Sequence, residues 1–161
     1  MKLALAGFVI CLVSLPASAK AADQEGSIRY QGKQVAHYSF KSQVALPKRG
    51  CVRFNIKYTI DPSVVYPKSY VAFSLTSKKT NTSAMEYVEP GNGTTLPGKD
   101  PWAGTEEIVL CATGQQFIDS YGETQTAPAF TPGDYSLVAF LNVIEPVQAT
   151  IATAPRKVVV K

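Results

Sequence analysis

Phe130-Thr-Pro-Gly-Asp-Tyr-Ser-Leu-Val-Ala-Phe-Leu-Asn-Val-Ile144 is the stretch on which the rest of the chain depends. Pro132-Gly133 opens it as a turn, because proline presets φ and glycine accepts a positive one. An almost unbroken run of strand-forming residues follows. Tyr135, Leu137, Ala139, Leu141 and Val143 share one parity; Val138, Phe140 and Ile144 share the other, interrupted by Ser136 and Asn142. Successive side chains of a strand point to opposite faces, so this strand is apolar on both. Such a strand belongs in the middle of a packed sheet, with cover on each side.

Downstream, Glu145-Pro146 turns the chain, and residues 147–161 make a final strand or strand pair broken at Pro155. Lys157 and Lys161 bracket Val158-Val159-Val160, as charges bracket sticky strands. Upstream, Cys51–Ile60 alternates most cleanly. Val52, Phe54, Ile56, Tyr58 and Ile60 face one way; Arg53, Asn55, Lys57 and Thr59 face the other. One face of that strand is wet, and Asp61-Pro62-Ser63 ends it. Residues 70–76 give a strand with Val71, Phe73 and Leu75 inward. Residues 105–113 give another, around Ile108 and Leu110. Two short strands, 28–30 and 34–40, flank a turn at Gln31-Gly32-Lys33, and residues 22–27 form a loose polar N-terminus. Residues 77–104 and 114–131 read as long connections full of turn residues, with at most a helical turn over 83–88. Glycines fall in turns.

Short strands separated by turn chemistry, with no amphipathic helix, predict an all-β fold: an antiparallel β-sandwich of seven to eight strands. A small closed β-barrel is the alternative. The spacing Pro132-Gly133-x-Tyr135-x-Leu137 resembles the tyrosine corner of immunoglobulin-like sandwiches, with Leu137 where antibody domains place a cysteine. The resemblance implies that Tyr135 packs under the turn and that its hydroxyl bonds upstream backbone. Two features depart from it. Trp102 falls in a loop instead of a core strand, and Cys51 shares the parity of the wet face.

The first 21 residues read as a leader, not as part of the fold. Lys2 is followed by an uncharged apolar run over residues 3–15, then Pro16, then small-x-small sites ending at Ala19 and Ala21. That pattern is a cleaved secretory signal, and the run is shorter than the roughly 20 residues a membrane helix needs. Residues 22–161 then make a single exported, periplasmic or secreted, domain with no membrane span. The formal charge of +4 falls to +3 without Lys2 and to +2 without Lys20 as well. That balance serves solubility and is no footprint for nucleic acid. Cys11 leaves with the leader. Cys51 and Cys111 remain, an even pair that reads as a disulfide in an oxidising compartment, placed at the periphery by the parity of Cys51.

Catalytic chemistry has little to build on. His37 is the only histidine, and no G-x-S-x-G turn is present for a nucleophile. With both cysteines bridged, no cluster remains for a transition metal. Glu106 and Glu107 are adjacent in a strand, so their carboxylates point apart. No phosphate-binding glycine loop occurs. The chain reads as non-enzymatic, without metal or cofactor.

The informative stretch is residues 77–104, which sets Met85, Tyr87, Val88, Leu96 and Trp102 among polar and turn residues and includes two sequons, at Asn81 and Asn92. The segment reads in two ways: as a loop folded back over one sheet with its aromatics as local packing, or as apolar anchors displayed on a rigid sandwich to bind a protein or other macromolecule; residues 114–131 are a second segment with the same two readings. Two alternatives follow from the same features. One is an inhibitor of an extracytoplasmic hydrolase, presenting residues 85–90 as a substrate-like segment. The other is a fibre or pilus-type subunit assembled by strand donation, disfavoured by the short polar N-terminus.

Overall fold

The computed structural model describes residues 22–64, 68–88, 102–118, 122 and 124–161. The leader, Leu96, Asn92 and residues 65–67 lie outside the described residues. Among the described residues twelve strands are present: β1 Asp23–Tyr30, β2 Lys33–Lys41, β3 Gln43–Val44, β4 Cys51–Ile60, β5 Ser69–Ser77, β6 Thr82–Val88, β7 Trp102–Cys111, β8 Gln115–Ile118, β9 Thr124–Ala127, β10 Gly133–Val143, β11 Ala149–Ala152 and β12 Arg156–Val160. They form a β-sandwich. One sheet has the order β1-β2-β4-β7. The other has the order β3-β12-β10-β5-β6, with β11 also paired to β10, and neither sheet closes into a barrel. β8 and β9 make a separate hairpin. Among the named strands all pairings are antiparallel except β12 with the short β3, and an isolated parallel bridge joins Cys111 to Ala129.

Several elements differ from the sequence reading. Residues 23–27 extend the first strand instead of fraying, since β1 pairs along the whole of β2. Gln31 and Gly32 both adopt positive φ, at 49° and 80°. That is a two-residue hairpin turn whose twist suits the flanking strands. The segment 77–104 is not one loop: residues 82–88 are β6, and β7 begins at Trp102, three residues before the expected start. The segment 114–131 holds the β8–β9 hairpin. Gly26 and Gly104 lie inside strands, because each faces a tyrosine across the pair. A Cβ on Gly26 would collide with the Tyr38 ring, and one on Gly104 with Tyr58.

β10 is central, as its composition requires. Tyr135, Leu137, Ala139, Leu141 and Val143 are buried between the sheets. They meet Phe73 and Leu75 from β5, and Ile56, Ile60, Ile108 and Leu110 from β4 and β7 complete the core. Each valine, leucine, isoleucine or phenylalanine among them contributes about 1.5–3 kcal/mol on leaving water. Tyr38 links the layers: its ring meets Phe73 edge-on at 5.5 Å, and its hydroxyl donates to Thr153 Oγ1 at 3.2 Å. Thr153 sits where the final edge breaks between β11 and β12. Its Oγ1 also accepts from Ala139 N, and its own N–H donates to Ala139 O. The side chain thus repairs the ladder at the break. The second face of β10 departs from expectation. Val138 and Phe140 are only half-buried, and Ile144 is exposed. A two-layer sandwich covers each sheet on one side.

Tyr135 packs beside Phe130, and its hydroxyl donates to Thr131 O at 3.0 Å while accepting from Thr131 N at 3.2 Å. Cys51 and Cys111 are bridged. They stand directly opposite each other on β4 and β7, so the bridge joins neighbours in one sheet and does not pin the two sheets together. It sits at the end of that pair. Cys111 is 2% exposed and its carbonyl accepts from Phe130 N. A bridge of this kind is compatible with an oxidising extracytoplasmic location. Among the described residues no helix is long and apolar enough to cross a membrane.

Candidate functional site

The residues singled out in the sequence separate by parity. β6 runs Thr-Ser-Ala-Met-Glu-Tyr-Val and lies at the edge of the larger sheet. Its inward residues are Ala84, Glu86 and Val88, and its outward residues are Ser83, Met85 and Tyr87. Met85 is 45% exposed and Tyr87 is 50% exposed. Val88 is 1% exposed and belongs to the core opposite Val71, which corrects its assignment as a contact residue. Trp102 is not in a loop. As the first residue of β7 it is half-buried, packs against the core, and meets Tyr58 edge-on at 5.7 Å. It therefore points away from the surface formed by Met85 and Tyr87. The segment from Met85 to Val88 is paired to β5 instead of being displayed as a free loop; residues 89 and 90 lie outside the described residues.

Register brings other residues to Met85 and Tyr87. Tyr87 stands opposite Ala72, which stands opposite Phe140. Met85 stands opposite Ser74, which stands opposite Val138. Tyr70, one pleat along, meets Tyr87 edge-on at 5.5 Å. Ala72 and Ser74 are buried although they lie on the outer face. They are small, and their large neighbours on β6 and β10 overhang them. The result is an aromatic and aliphatic floor across three strands, open to solvent. The sequence signal for it was the alternation of Tyr70, Ala72 and Ser74 against Val71, Phe73 and Leu75. Small residues on the non-core parity leave room for neighbours to lie flat.

Charge is sparse on this face, where Lys157 on β12 pairs with Asp134 at the start of β10 at 2.7 Å, and it gathers on the other sheet. The outer face of the four-stranded sheet carries ion pairs Lys41–Asp23 at 2.7 Å and Arg53–Glu107 at 2.5 Å, and His37 Nε2 lies 3.6 Å from Glu25 Oε2. Glu107 points outward to Arg53, whereas Glu106 has the inward parity of Ile108 and Leu110. Glu106 comes close to Glu86 where the edges β6 and β7 meet. Burial first, and then the Glu106 carboxylate, hold the Glu86 carboxyl above the usual glutamate range. The same two causes, in the same order, raise the Tyr58 phenol. Inward carboxylates on edge strands hinder sheet-to-sheet addition. Asp61 differs: hydrogen bonds from the side chain and backbone of Ser63 lower its carboxyl. Among the described residues no cluster of histidine, cysteine and carboxylate side chains has the makings of a metal site. No protein-family model matches this sequence, and no curated protein matches it.

Proposed function

We propose that this is an exported, non-enzymatic β-sandwich that binds another protein through the outer face of its larger sheet. The carrying observation is the exposed pair Met85 and Tyr87 on an edge strand, continuous with Tyr70 and Phe140. Aromatic residues and methionine, held rigid on a sheet, are enriched at the cores of protein interfaces. The sheet sets their spacing before any partner arrives, so little conformational entropy is lost on binding. Export is supported by the leader pattern over residues 1–21 and by the bridged cysteine pair. The sites first expected in loops move onto the strand face. Tyr87 stays an anchor, Tyr70 joins it, and Trp102 becomes a packing residue.

Capture from the native extracytoplasmic fraction tests the reading. Mature protein serves as bait, alongside Tyr87→Ala and Tyr70→Ala. Retention of a specific partner by wild type, weakened about 30-fold in each variant with the denaturation midpoint unchanged, is the expected result. Equal retention by wild type and both variants removes this face from the function. N-terminal sequencing of the exported form should begin at Lys20 or Ala22.

A further inference from the structure

At the opposite end of the sandwich from the disulfide, the two sheets part around a cavity of about 720 Å³. We propose that this cavity binds a small amphipathic molecule: an apolar body carrying an uncharged polar head. The site is independent of the sheet face described above. Its volume falls in the range of small-molecule sites, about 300–1,000 Å³. Two other clefts, beside His37 and beside Asp23, reach about 170 and 270 Å³.

The chemistry of the lining sets the ligand class. The floor is Val35, Val64, Leu141 and Val143, drawn from both sheets. Tyr30 and Pro146 add apolar wall. At the mouth, Val147 is 71% exposed, so the apolar surface continues outward instead of ending in a polar ring. Apolar surface of this shape gains most from an apolar occupant. The polar lining comes from both sheets: Gln31 and Ser63 at the end of the smaller one, Ser69 and the ion pair Lys68–Glu145 at 3.6 Å at the end of the larger one. Among the described lining residues, Lys68 and Glu145 carry formal charge, and they compensate each other. The pair is exposed and offers no net charge to attract a charged head, whereas a hydroxyl or amide can bond either partner.

The frame around the cavity is fixed by backbone bonds. Ile144 N and Glu145 N both donate to Lys68 O, at 2.8 and 3.2 Å. Asp61 N donates to Val35 O, Val64 N to Asp61 O, and Ser63 N to the Asp61 carboxylate. The first two tie strand ends of the larger sheet and the others tie strand ends of the smaller one, so each wall of the pocket is held before a ligand enters, which limits the cost of binding.

The test uses the whole mature protein with the uncharged fluorophore N-phenyl-1-naphthylamine. Fluorescence should rise saturably with one site per chain. Val143→Phe, which fills the floor, and Val147→Glu, which puts a charge in the mouth, should each weaken the dye by about tenfold or more. Circular dichroism checks their folding; should Val143→Phe fail to fold, Val147→Glu decides alone, since its site is exposed. Nonanol should displace the dye at lower concentration than nonanoate or nonylamine. No saturable signal overturns the proposal, as does unweakened binding by the folded variants. Dye lost with Tyr87→Ala but retained with Val147→Glu moves the binding to the sheet face and overturns it too. Equal displacement by the three competitors overturns the uncharged-head assignment.

Discussion

The outer faces of the two sheets are built with the same period and end in different chemistry. On the four-stranded sheet, Arg53, Asn55, Lys57 and Glu107 stand out from β4 and β7, and most of the charge is answered by a neighbour across the strand. On the larger sheet, the equivalent positions hold Tyr70, Ala72, Ser74, Met85, Tyr87, Val138 and Phe140. The first face is stable in water without a partner, because its long side chains carry their charge into solvent. The second leaves aromatic rings half in water with no structural return. A two-layer sandwich needs apolar residues on one parity only. The apolar second parity of β5, β6 and β10 is therefore surplus to folding, and the proposed binding rests on that surplus.

Substitutions on the two sheets test the contrast. The largest effect belongs to the charged side. Replacing both Cys51 and Cys111 with alanine opens a loop closed over 60 residues and should lower stability by about 4 kcal/mol in urea titrations. A loss below about 1 kcal/mol would show that the β4–β7 ladder already restrains the unfolded chain.

Next come two neighbours on β6. Val88→Ala should cost about 2–3 kcal/mol because it empties core space. Tyr87→Ala should change the midpoint by no more than about 0.5 kcal/mol, as surface substitutions do. Similar losses at both would mean that the outer face supports the fold, and the contrast between the faces would collapse.

Tyr135→Phe should cost about 1–2 kcal/mol by leaving the Thr131 backbone groups without the phenol. An unchanged midpoint would show that water replaces the hydroxyl there.

Arg53→Ala on the wet face should cost less than about 1 kcal/mol, shrinking further in high salt. Smallest is Glu86. A carboxyl whose folded-state pKa is raised stabilises the fold fully below its unfolded pKa and loses that contribution as pH rises through the folded value. Glu86→Gln should therefore unfold at a higher midpoint than wild type at neutral pH, with the two converging in acid, below about pH 4. A constant gap across pH would assign the effect to packing alone.

Legibility in the sequence followed punctuation and parity. β4 was readable to the residue because its alternation is unbroken and Asp61-Pro62 closes it. The core parity of β5 and β10 was equally plain. β6 was missed because Glu86 interrupts its inner parity with a charge, which makes a strand resemble a polar loop. The start of β7 was missed because Ala103 and Gly104 are weak strand formers; what holds Gly104 in the strand is the Tyr58 ring opposite, a contact no local pattern encodes. Met85 and Tyr87 were found by type, but Tyr70 and Phe140 join them only through register. Cover was expected on both faces of β10 because its composition is apolar throughout, yet composition does not count layers. The cavity depends on where strand ends from two sheets meet, and no single stretch carries that.

The bridge between Cys51 and Cys111 has a topological consequence. It turns residues 51–111 into a covalent ring, and threaded along that ring are β5 and β6, which belong to the opposite sheet. A protease that makes one cut anywhere within the ring does not divide the molecule. Both halves stay attached, the sheet edge bearing Tyr87 stays at its station, and the cut shows only when the bridge is reduced. The exposed aromatic face thus remains tethered to its scaffold after damage that would release an uncrosslinked hairpin.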